Sequence, residues 1–420
     1  MNIDKTCTYI KRSKSCPLNF DLGNPGASYK AFSQIGPGIN RVKFLTISQY
    51  TLPELLSHFH DEELPLEELF VEVSEGSGPA LDTRLFNGDL TSLRKLFLRG
   101  NITKFPWRNL ANLQTVELIN CTSGYELTVL LDFLESAPLL HTVVFNGRIH
   151  GNLTGRRVHL DHLRCLKVST PRPDRSHSTL FHHLHIPIGA SLTSSFYFHR
   201  EFPLLDYLQR SSPNFSNLSP VTAVNLLLHI REKKVRLSGP NGSLCLETTW
   251  ETGAKPHIID SQVLYSLDHP MLSSICRLAL SYCGWQSSSK VKESPAFKML
   301  SSKENLRALT LIHCNSQPFI LALDPEQVPS DSVLCPNLEK LDLYLLYTSQ
   351  LNVESLIKMV KARASQGMKP LSITIVISTR TELEEDVVKL REHITHLEYR
   401  VDQKYPQWDD VPREDDSESK

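Results

Sequence analysis

The sequence contains no apolar run that is long enough to cross a membrane as a helix. A spanning helix needs roughly 18 or more apolar residues in succession, and the nearest approach is the short segment 371–377, Leu-Ser-Ile-Thr-Ile-Val-Ile. Residues 1–12 also lack the apolar stretch and the small-residue cleavage site of a secretory signal. We therefore expect no membrane partner and no secretion.

The sequence also lacks an excess of charge of either sign. Its 420 residues include 45 Lys and Arg against 46 Asp and Glu, a formal net charge of −1. This balance excludes the strongly basic composition of a nucleic-acid-binding protein, so we expect no nucleic-acid partner. The nine cysteines are an odd number at scattered positions, which favours reduced thiols over a disulfide framework. These features predict a folded cytoplasmic or nuclear protein.

What the sequence does contain is a short apolar pattern, Leu-x-x-Leu-x-Leu, that returns along most of the chain. Its copies begin at Leu66, Leu93, Leu113, Leu140, Leu163, Ile275, Leu306, Leu338 and, in a looser form, Met368. Successive copies are 27, 20, 27 and 23 residues apart in the first group and 31, 32 and 30 residues apart in the second. This pattern is typical of leucine-rich repeats, whose period is usually slightly shorter than that of the second group.

Two further features of the repeats support this interpretation. The repeat consensus places Asn or Cys eight residues after the first leucine, and this position is occupied by Asn101, Cys121, Cys283 and Cys314. Amphipathic segments over 125–134 and 353–360 supply the helix that a repeat needs between its strands. The sequence therefore predicts an α/β leucine-rich repeat solenoid, with a curved parallel sheet on the concave side and helices on the convex side.

The repeats also suggest a domain organisation. Residues 1–38 are rich in Gly and Pro and are predicted to be poorly ordered, and the acidic residues 401–420 are predicted to be a disordered tail. Residues 39–400 form the predicted repeat domain, which has an irregular centre at about 170–270.

The irregular centre still contains strand signals. Residues 191–198 and 221–230 are strand-like, and residues 235–246 have the pattern of a hairpin whose turn is 239–242. Two interpretations are open. Either degenerate repeats continue the solenoid, or a small insert separates two arrays.

Residues 40–400 resemble the leucine-rich repeat part of the large fungal F-box protein families. The resemblance depends on the repeats, on Ser136-Ala-Pro-Leu-Leu140 and Leu334-Cys-Pro-Asn-Leu338 ahead of a strand, and on the stretch 180–190, Leu-Phe-His-His-Leu-His-Ile-Pro-Ile-Gly-Ala. Members of these families use an N-terminal F-box to bind the Skp adaptor of a cullin ubiquitin ligase, while the repeats select the protein to be ubiquitinated. The resemblance implies a substrate receptor of that kind.

The F-box itself is where the sequence departs from these families. Thr51-Leu52-Pro53-Glu54-Leu55-Leu56 imitates the opening signature of a box. A functional box continues for several tens of residues, whereas the next repeat already begins at Leu66. Residues 52–60 are therefore predicted to be the helix of a repeat, and the box to be lost, truncated or supplied elsewhere. Binding of a Skp-type adaptor is left open.

No group of residues in the sequence has the spacing of a catalytic, nucleotide or metal site. The nearest approach is the cluster of His177, His182, His183 and His185, but no Cys-x-x-Cys lies nearby to complete a tetrahedral set. We interpret this cluster as a polar helix face. Phosphate-binding glycine patterns and a Gly-x-Ser-x-Gly nucleophile motif are also lacking. We therefore predict no catalytic residue, no cofactor and no bound metal.

The alternation of side chains along a strand assigns one face of the predicted sheet. The consensus leucines point into the core, so the residues between them must point to the solvent on the concave side. The aromatic and charged residues among them are the candidate protein-binding residues: Phe70, Lys95, Phe97, Arg99, Glu117, Lys167, Arg277, Lys340, Asp342 and Tyr344. Exposed aromatic and Arg side chains dominate protein interfaces. The alternative for each residue is that it only covers a neighbouring strand.

These observations predict a non-enzymatic protein-protein interaction module that resembles the substrate-recognition part of an F-box ubiquitin ligase. The alternative is a stand-alone repeat scaffold with no ligase role. An enzyme that uses the irregular centre is a third hypothesis, which the lack of a catalytic constellation disfavours.

Overall fold

The structure, a computed structural model, covers the repeats and part of the irregular centre. It describes residues 3–22, 41–48, 65–72, 90–100, 109–151, 155–170, 180–181, 183–187, 189–198, 223–228, 232–239, 242–250, 272–281, 294–327, 333–347, 351–378 and 384–402. The chain forms two compact units: Met1–Phe196 with Arg210–Asn217, and Tyr197–Gln209 with Leu218–Lys420.

The first unit contains a parallel sheet whose strands follow one another in sequence order. Its described strands are β1 (Leu18–Leu22), β2 (Val42–Ser48), β3 (Glu68–Glu72), β4 (Lys95–Arg99), β5 (Thr115–Glu126), β6 (Thr142–His150), β7 (Val158–His159), β8 (Cys165–Thr170), β9 (Leu184–His185) and β10 (Ser191–Phe198). The main sheet has the order β1-β2-β3-β4-β5-β6-β8-β10, and every neighbouring pair is parallel. The short strands β7 and β9 form a separate parallel pair.

The second unit combines an antiparallel start with parallel strands. Its described strands are β11 (Ala223–Leu228), β12 (Glu232–Gly239), β13 (Gly242–Trp250), β14 (Arg277–Ser281), β15 (Ala308–Ile312), β16 (Lys340–Leu345), β17 (Ser372–Ile377) and β18 (His396–Val401). β11, β12 and β13 are antiparallel to their neighbours in that set. β14 pairs in parallel with β11, and β15 to β18 continue in parallel and in sequence order.

The predicted motif positions lie next to one another across the strands. Leu69 pairs with Leu96, and Leu309 pairs with Leu341. Leu96 and Leu309 are completely buried and lie in parallel strands, which confirms the prediction that they are core residues. Burying such a side chain contributes roughly 1.5–3 kcal/mol. The stacked motif leucines therefore form the continuous apolar side of each sheet.

Helices occupy several connections between the strands. Those in the described part of the chain are α1 (Ile3–Arg12), α2 (Leu127–Glu135), α3 (Pro295–Ser301), α4 (Gln317–Leu323), α5 (Val353–Ser365) and α6 (Glu384–His393). α2 buries the predicted apolar face of Leu127, Leu130, Leu131 and Leu134. Within the described ranges, the helices are too short or too polar to cross a bilayer.

The ends of α5 follow directly from its sequence. The side chain of Asn352 accepts a hydrogen bond from the backbone N–H of Ser355 at 2.9 Å and so caps the first turn. Gly367 has a φ of +73°, and its N–H and that of Met368 donate to the carbonyl oxygens of Ala364 and Arg363. A glycine in this conformation is the usual end of a helix.

The central segment keeps the strands that its pattern predicts. β10 continues the parallel sheet of the first unit from β8. β12 and β13 form the predicted hairpin, with Gly239 opposite Gly242 at the turn. The apolar alternation of residues 221–230 did not indicate that β11 is antiparallel to β12, because alternation is the same in both kinds of sheet.

Residues 1–38, which are predicted to be poorly ordered, contain α1 and β1, and β1 pairs with β2. One sequence-based expectation differs from the structure. The looser motif copy at Met368 is two residues out of register, because Leu341 pairs with Ile373 rather than with Leu371. The alternating apolar side chains of 371–377 fit both registers, and the shift by two leaves each side chain on its predicted face. Residues 403–420 lie outside the described residues.

Candidate functional site

The first unit brings Phe70 and Phe97 together on the non-core face of its sheet, which is the face that carries the residues between the consensus leucines. Phe70 on β3 lies opposite Phe97 on β4. Their ring centroids are 6.2 Å apart and the ring planes are inclined by 33°. Such a pair contributes about 0.5–1.5 kcal/mol beyond the burial of its area. Both side chains are half-buried, so the pair forms a mutually supported apolar patch that still reaches the solvent.

Two ion pairs bracket this aromatic pair on the same two strands. Lys95 lies opposite Glu68, with Nζ 2.7 Å from Oε1, and Arg99 lies opposite Glu72, with Nη1 3.6 Å from Oε1. Exposed pairs of this kind contribute only about 0–1 kcal/mol to stability. Their main effect is to place charge of both signs on either side of the rings.

The remaining candidates of the first unit lie in the same cross-strand row as the two rings. Phe97 lies opposite Glu117 on β5, Glu117 lies opposite Val144 on β6, and Val144 lies opposite Lys167 on β8. Glu117 is half-buried and Lys167 is exposed. The structure therefore places all six predicted residues of this unit on one face, with an apolar part at β3 and β4 and charged residues further along.

In the second unit, three of the four predicted residues line a groove. The groove has a volume of about 440 Å³ and lies over β16, β17 and β18. Its lining residues are Lys340, Asp342, Tyr344, Ser372, Thr374, Thr395, His396, Leu397, Glu398 and Arg400. Arg277 is exposed and lies two strands away in the row of Lys340, so it is on the same face but outside the groove.

Asp342 differs from the prediction that it points to the solvent, because it is only 7% exposed. Its Oδ2 accepts a hydrogen bond from the Thr310 hydroxyl at 3.3 Å and lies 3.0 Å from Nζ of Lys340. Its Oδ1 is buried and has no hydrogen-bond donor among the described residues. An unpaired buried oxygen is costly, and this one lies in the wall of the groove.

Two other residues in the row of Asp342 are also buried, whereas Thr310, its neighbour on β15, is half-buried. Ala279 and Thr374 are 5% and 6% exposed, and both lie on the non-core face in the row of Asp342. Their side chains are short, whereas the longer side chains of Arg277, Lys340 and Tyr344 project from adjacent rows of the same face. Longer neighbours shield short side chains from solvent, which explains why alternation predicted the correct face but not the depth.

Tyr344 is half-buried at the edge of the same groove. Burial raises the pKa of its phenol above the ordinary value of 10.0, and the nearby carboxylates of Asp342 and Glu398 raise it further while Arg400 opposes them. The Tyr344 hydroxyl therefore keeps its proton at neutral pH and can donate a hydrogen bond to a bound group.

The predicted Asn or Cys position of the repeat can be checked at Cys314. Its Sγ is buried and lies 3.3 Å from the carbonyl oxygens of Leu280, on the preceding strand, and Ile312. Asn101, Cys283 and the side chain of Cys121 lie outside the described residues, as does the F-box-like segment Leu52-Pro53-Glu54-Leu55-Leu56.

The structure contradicts the polar helix face predicted for the histidine cluster at 177–185, because His185 lies in the strand β9 and His183 is buried. His183 is buried, with Nδ1 2.7 Å from the carbonyl oxygen of Arg156, whereas His185 is exposed. His177 and His182 lie outside the described residues. His185 instead lies beside His159 and Asp161, and the donor atoms of these three exposed residues lie within 4.8 Å of one another. The sequence search missed His159 and Asp161, although Val158-His-Leu160 and Leu184-His-Ile186 share an apolar-His-apolar pattern.

The described parts of the two sheets thus offer two surfaces for a ligand: the aromatic and charged face of the first unit and the polar groove of the second. The lining of the groove includes Ser372 on β17 and His396, which pairs with it on β18. In comparison with known proteins, no family model and no curated protein matches the chain.

Proposed function

We propose that the chain is a non-enzymatic protein-binding module whose partner contacts the non-core face of the first unit at Phe70 and Phe97. The observation that carries this proposal is the half-buried aromatic pair between two ion pairs. Because each ring is already held by the other, little side-chain freedom is lost on binding. Ordered aromatic side chains of this kind are the commonest anchors of protein interfaces.

The charges around the rings support a protein partner of mixed charge. Glu68 and Glu72 flank Phe70 along β3, and Lys95 and Arg99 flank Phe97 along β4. Complementary charges at the edge of an interface orient the partner and increase its association rate more than they increase affinity. This arrangement favours a folded protein surface over a highly charged polymer.

The groove of the second unit supports a second contact region. The unpaired Oδ1 of Asp342 can accept a hydrogen bond from a Lys, Arg or amide group of the partner. Tyr344 can donate a hydrogen bond at the edge of the same groove. Lys340 and Arg400 supply positive charge nearby, so a partner segment that carries both donors and acceptors fits this groove best.

We further propose that the fold is of the leucine-rich repeat type and that the protein is the substrate-recognition part of an F-box type ubiquitin ligase, acting in the cytoplasm or the nucleus. The alignment of the motif leucines across parallel strands and the backbone contact of Cys314 support the repeat assignment. The link to a ligase rests on the resemblance of the sequence to fungal F-box proteins.

A stand-alone scaffold is the second candidate, and the spacing of two strands favours it. β2 ends at Ser48 and β3, its parallel neighbour, begins at Glu68. Residues 49–67 must therefore return the chain to the adjacent strand. A connection of this length suits one repeat and is shorter than the several tens of residues that a complete F-box needs.

The proposed face is tested by quantitative affinity capture with chemical cross-linking. The full chain is compared with a Phe70→Ser, Phe97→Ser variant and with Tyr9→Ser, which removes an aromatic ring that is 72% exposed on α1. We expect specific partners, cross-linked to β3, β4 or β5, to be lost from the double variant and retained by the control. Partners that bind all three proteins equally would contradict the proposed face.

A co-purification experiment with a Skp-type adaptor separates the two candidate functions. We expect the chain alone to bind the adaptor weakly or not at all. Robust binding that is lost in a Leu55→Ala, Leu56→Ala variant would instead identify a genuine box at residues 52–56. The Phe70→Ser, Phe97→Ser variant serves as the control, because its altered face lies on β3 and β4, beyond residues 52–56.

A further inference from the structure

We propose that His159, Asp161 and His185 form a surface site for a divalent transition-metal ion of the zinc class. Two imidazoles and one carboxylate are common zinc ligands. They leave a fourth position for water or for a ligand from a partner. This site uses no residue of the proposed protein-binding face.

The two imidazoles are brought together by strand pairing. β7 and β9 pair in parallel with His159 directly opposite His185. Their ring centroids are 4.7 Å apart and the planes are inclined by 31°. The carboxylate of Asp161 approaches the same place, with Oδ1 3.8 Å from Nδ1 of His185. One ligand atom from each residue lies within 4.8 Å of the other two.

These separations are close to those of a bound ion. Donor atoms around a tetrahedral zinc ion lie about 3.3 Å apart, because each is about 2.0–2.2 Å from the metal. The donor atoms here lie at most 4.8 Å apart, so they must approach one another by up to about 1.5 Å, which side-chain rotations provide because all three side chains are exposed. The ion also needs no entry path, since the site is open to the solvent.

The backbone beneath the three residues is fixed by hydrogen bonds and by burial. The N–H of Leu160 donates to the carbonyl oxygen of His185 at 3.2 Å, which links the residue between His159 and Asp161 to the third ligand. Val158, Leu160 and Leu184 are at most 1% exposed. The apolar residues that alternate with the ligands therefore anchor both segments, so little order is lost when the metal binds.

The site also explains why the cluster at 177–185 has no complete ligand set of its own. His183 precedes β9 and is buried, with its Nδ1 2.7 Å from the carbonyl oxygen of Arg156, whereas His185 lies in β9 and is exposed. The partners of His185 come from residues 159 and 161, which are distant in sequence and adjacent only through the β7 and β9 pairing.

Zinc titration of the intact, untagged chain by isothermal calorimetry tests the site. After removal of adventitious metal with a chelator, we expect one zinc ion to bind per chain. His159→Ala, His185→Ala and Asp161→Asn should each weaken binding by at least about tenfold. His162→Ala is the matched control, because His162 is an exposed histidine of the same turn that is not among the three donors.

The outcomes distinguish zinc binding at this site from nonspecific zinc binding by surface histidines. Loss of affinity in the three ligand variants with retention in the control supports the site, and the visible spectrum of a cobalt substitute should then change in the same variants. Circular dichroism verifies that each variant is folded. No stoichiometric binding, binding that survives the His159→Ala, His185→Ala double variant, or an equal effect of His162→Ala would overturn the proposal.

Discussion

The guanidinium group of Arg363 donates a hydrogen bond from Nη2 to the carbonyl oxygen of Cys335 at 3.0 Å. Its Nη1 donates to the carbonyl oxygen of Leu334 at 3.3 Å. Cys335 has a φ of +48°, which residues other than glycine rarely adopt, and Arg363 is only 2% exposed. A side chain of α5 thus holds the Leu-Cys-Pro turn that precedes β16.

Replacing Arg363 should therefore destabilise the second unit. Arg363→Met keeps most of the side-chain volume but leaves two buried carbonyl oxygens without donors, and hydrogen bonds to charged groups contribute about 1.5–3 kcal/mol each. Relief of the buried charge offsets part of this loss, so we expect a net decrease of about 2 kcal/mol in the free energy of unfolding. Urea denaturation measures this change. Lys361→Met, an exposed position on the same helix, should be nearly neutral, and equal stability of both variants would contradict the role of Arg363.

The motif leucines should be the most sensitive positions of both sheets. Leu96→Ala and Leu309→Ala each remove a completely buried side chain and should cost roughly 2–5 kcal/mol. Leu96→Asp buries a charge and should unfold the neighbouring strands, which circular dichroism and the thermal midpoint detect. Lys95→Ala, on the same strand but exposed, is the control. An unchanged midpoint for Leu96→Asp would show that the register is wrong.

His313 should make the stability of the second unit depend on pH. Burial lowers the pKa of His313 from 6.5 to about 4. Between these values the unfolded chain binds a proton that the folded chain does not, so the free energy of unfolding rises with pH. The contribution is complete above the unfolded value of 6.5 and is lost as the pH falls toward the folded value of about 4.

A comparison with His313→Asn isolates this contribution. Asn tolerates the positive φ of +53° at this position and does not titrate. From about pH 7 to about pH 5, wild type should lose about 2 kcal/mol more than the variant. Urea denaturation at each pH gives both values. The carboxylates titrate in both proteins and so affect both alike. If the free energies of unfolding of wild type and variant changed in parallel with pH, the prediction would be wrong.

The cysteines should differ sharply in reactivity. Cys16 is exposed, whereas Cys314 and Cys335 are buried, and burial raises the pKa of the Cys335 thiol to about 12. Only the thiolate is a good nucleophile. Mass spectrometry after iodoacetamide treatment should find Cys16 labelled in the native protein, and Cys314 and Cys335 labelled only after unfolding. Rapid native labelling of Cys335 would contradict its place in the core.

The sequence predicted strand positions well because the repeat combines two constraints, alternation within the strand and a fixed spacing of leucines. It failed where only one constraint applied. At 371–377 every second residue is apolar, so alternation allowed a shift of two residues. In β11, alternation could not indicate that the neighbouring strand β12 is antiparallel.

The sequence predicted on which face of the sheet the candidate residues lie, but not how deeply their side chains are buried. Alternation placed Phe70 and Phe97 on the same face, and the constant register made them neighbours. It could not reveal that Asp342 is shielded, because shielding depends on side-chain lengths in adjacent rows. The grouping of His159 with His185 depends on a pairing between two-residue strands, which are too short to leave a periodic signal in the sequence.

The strand order of the first unit has a consequence for biosynthesis. Each strand of its main sheet pairs with a strand that precedes it in the chain, from β1 to β10. The growing polypeptide can therefore extend the sheet one strand at a time as it leaves the ribosome, without waiting for distant segments. Domains made during translation generally fold from the N-terminus. In the second unit, β11 to β13 can form as an early template, on which β14 and the later strands are added in the order of their synthesis.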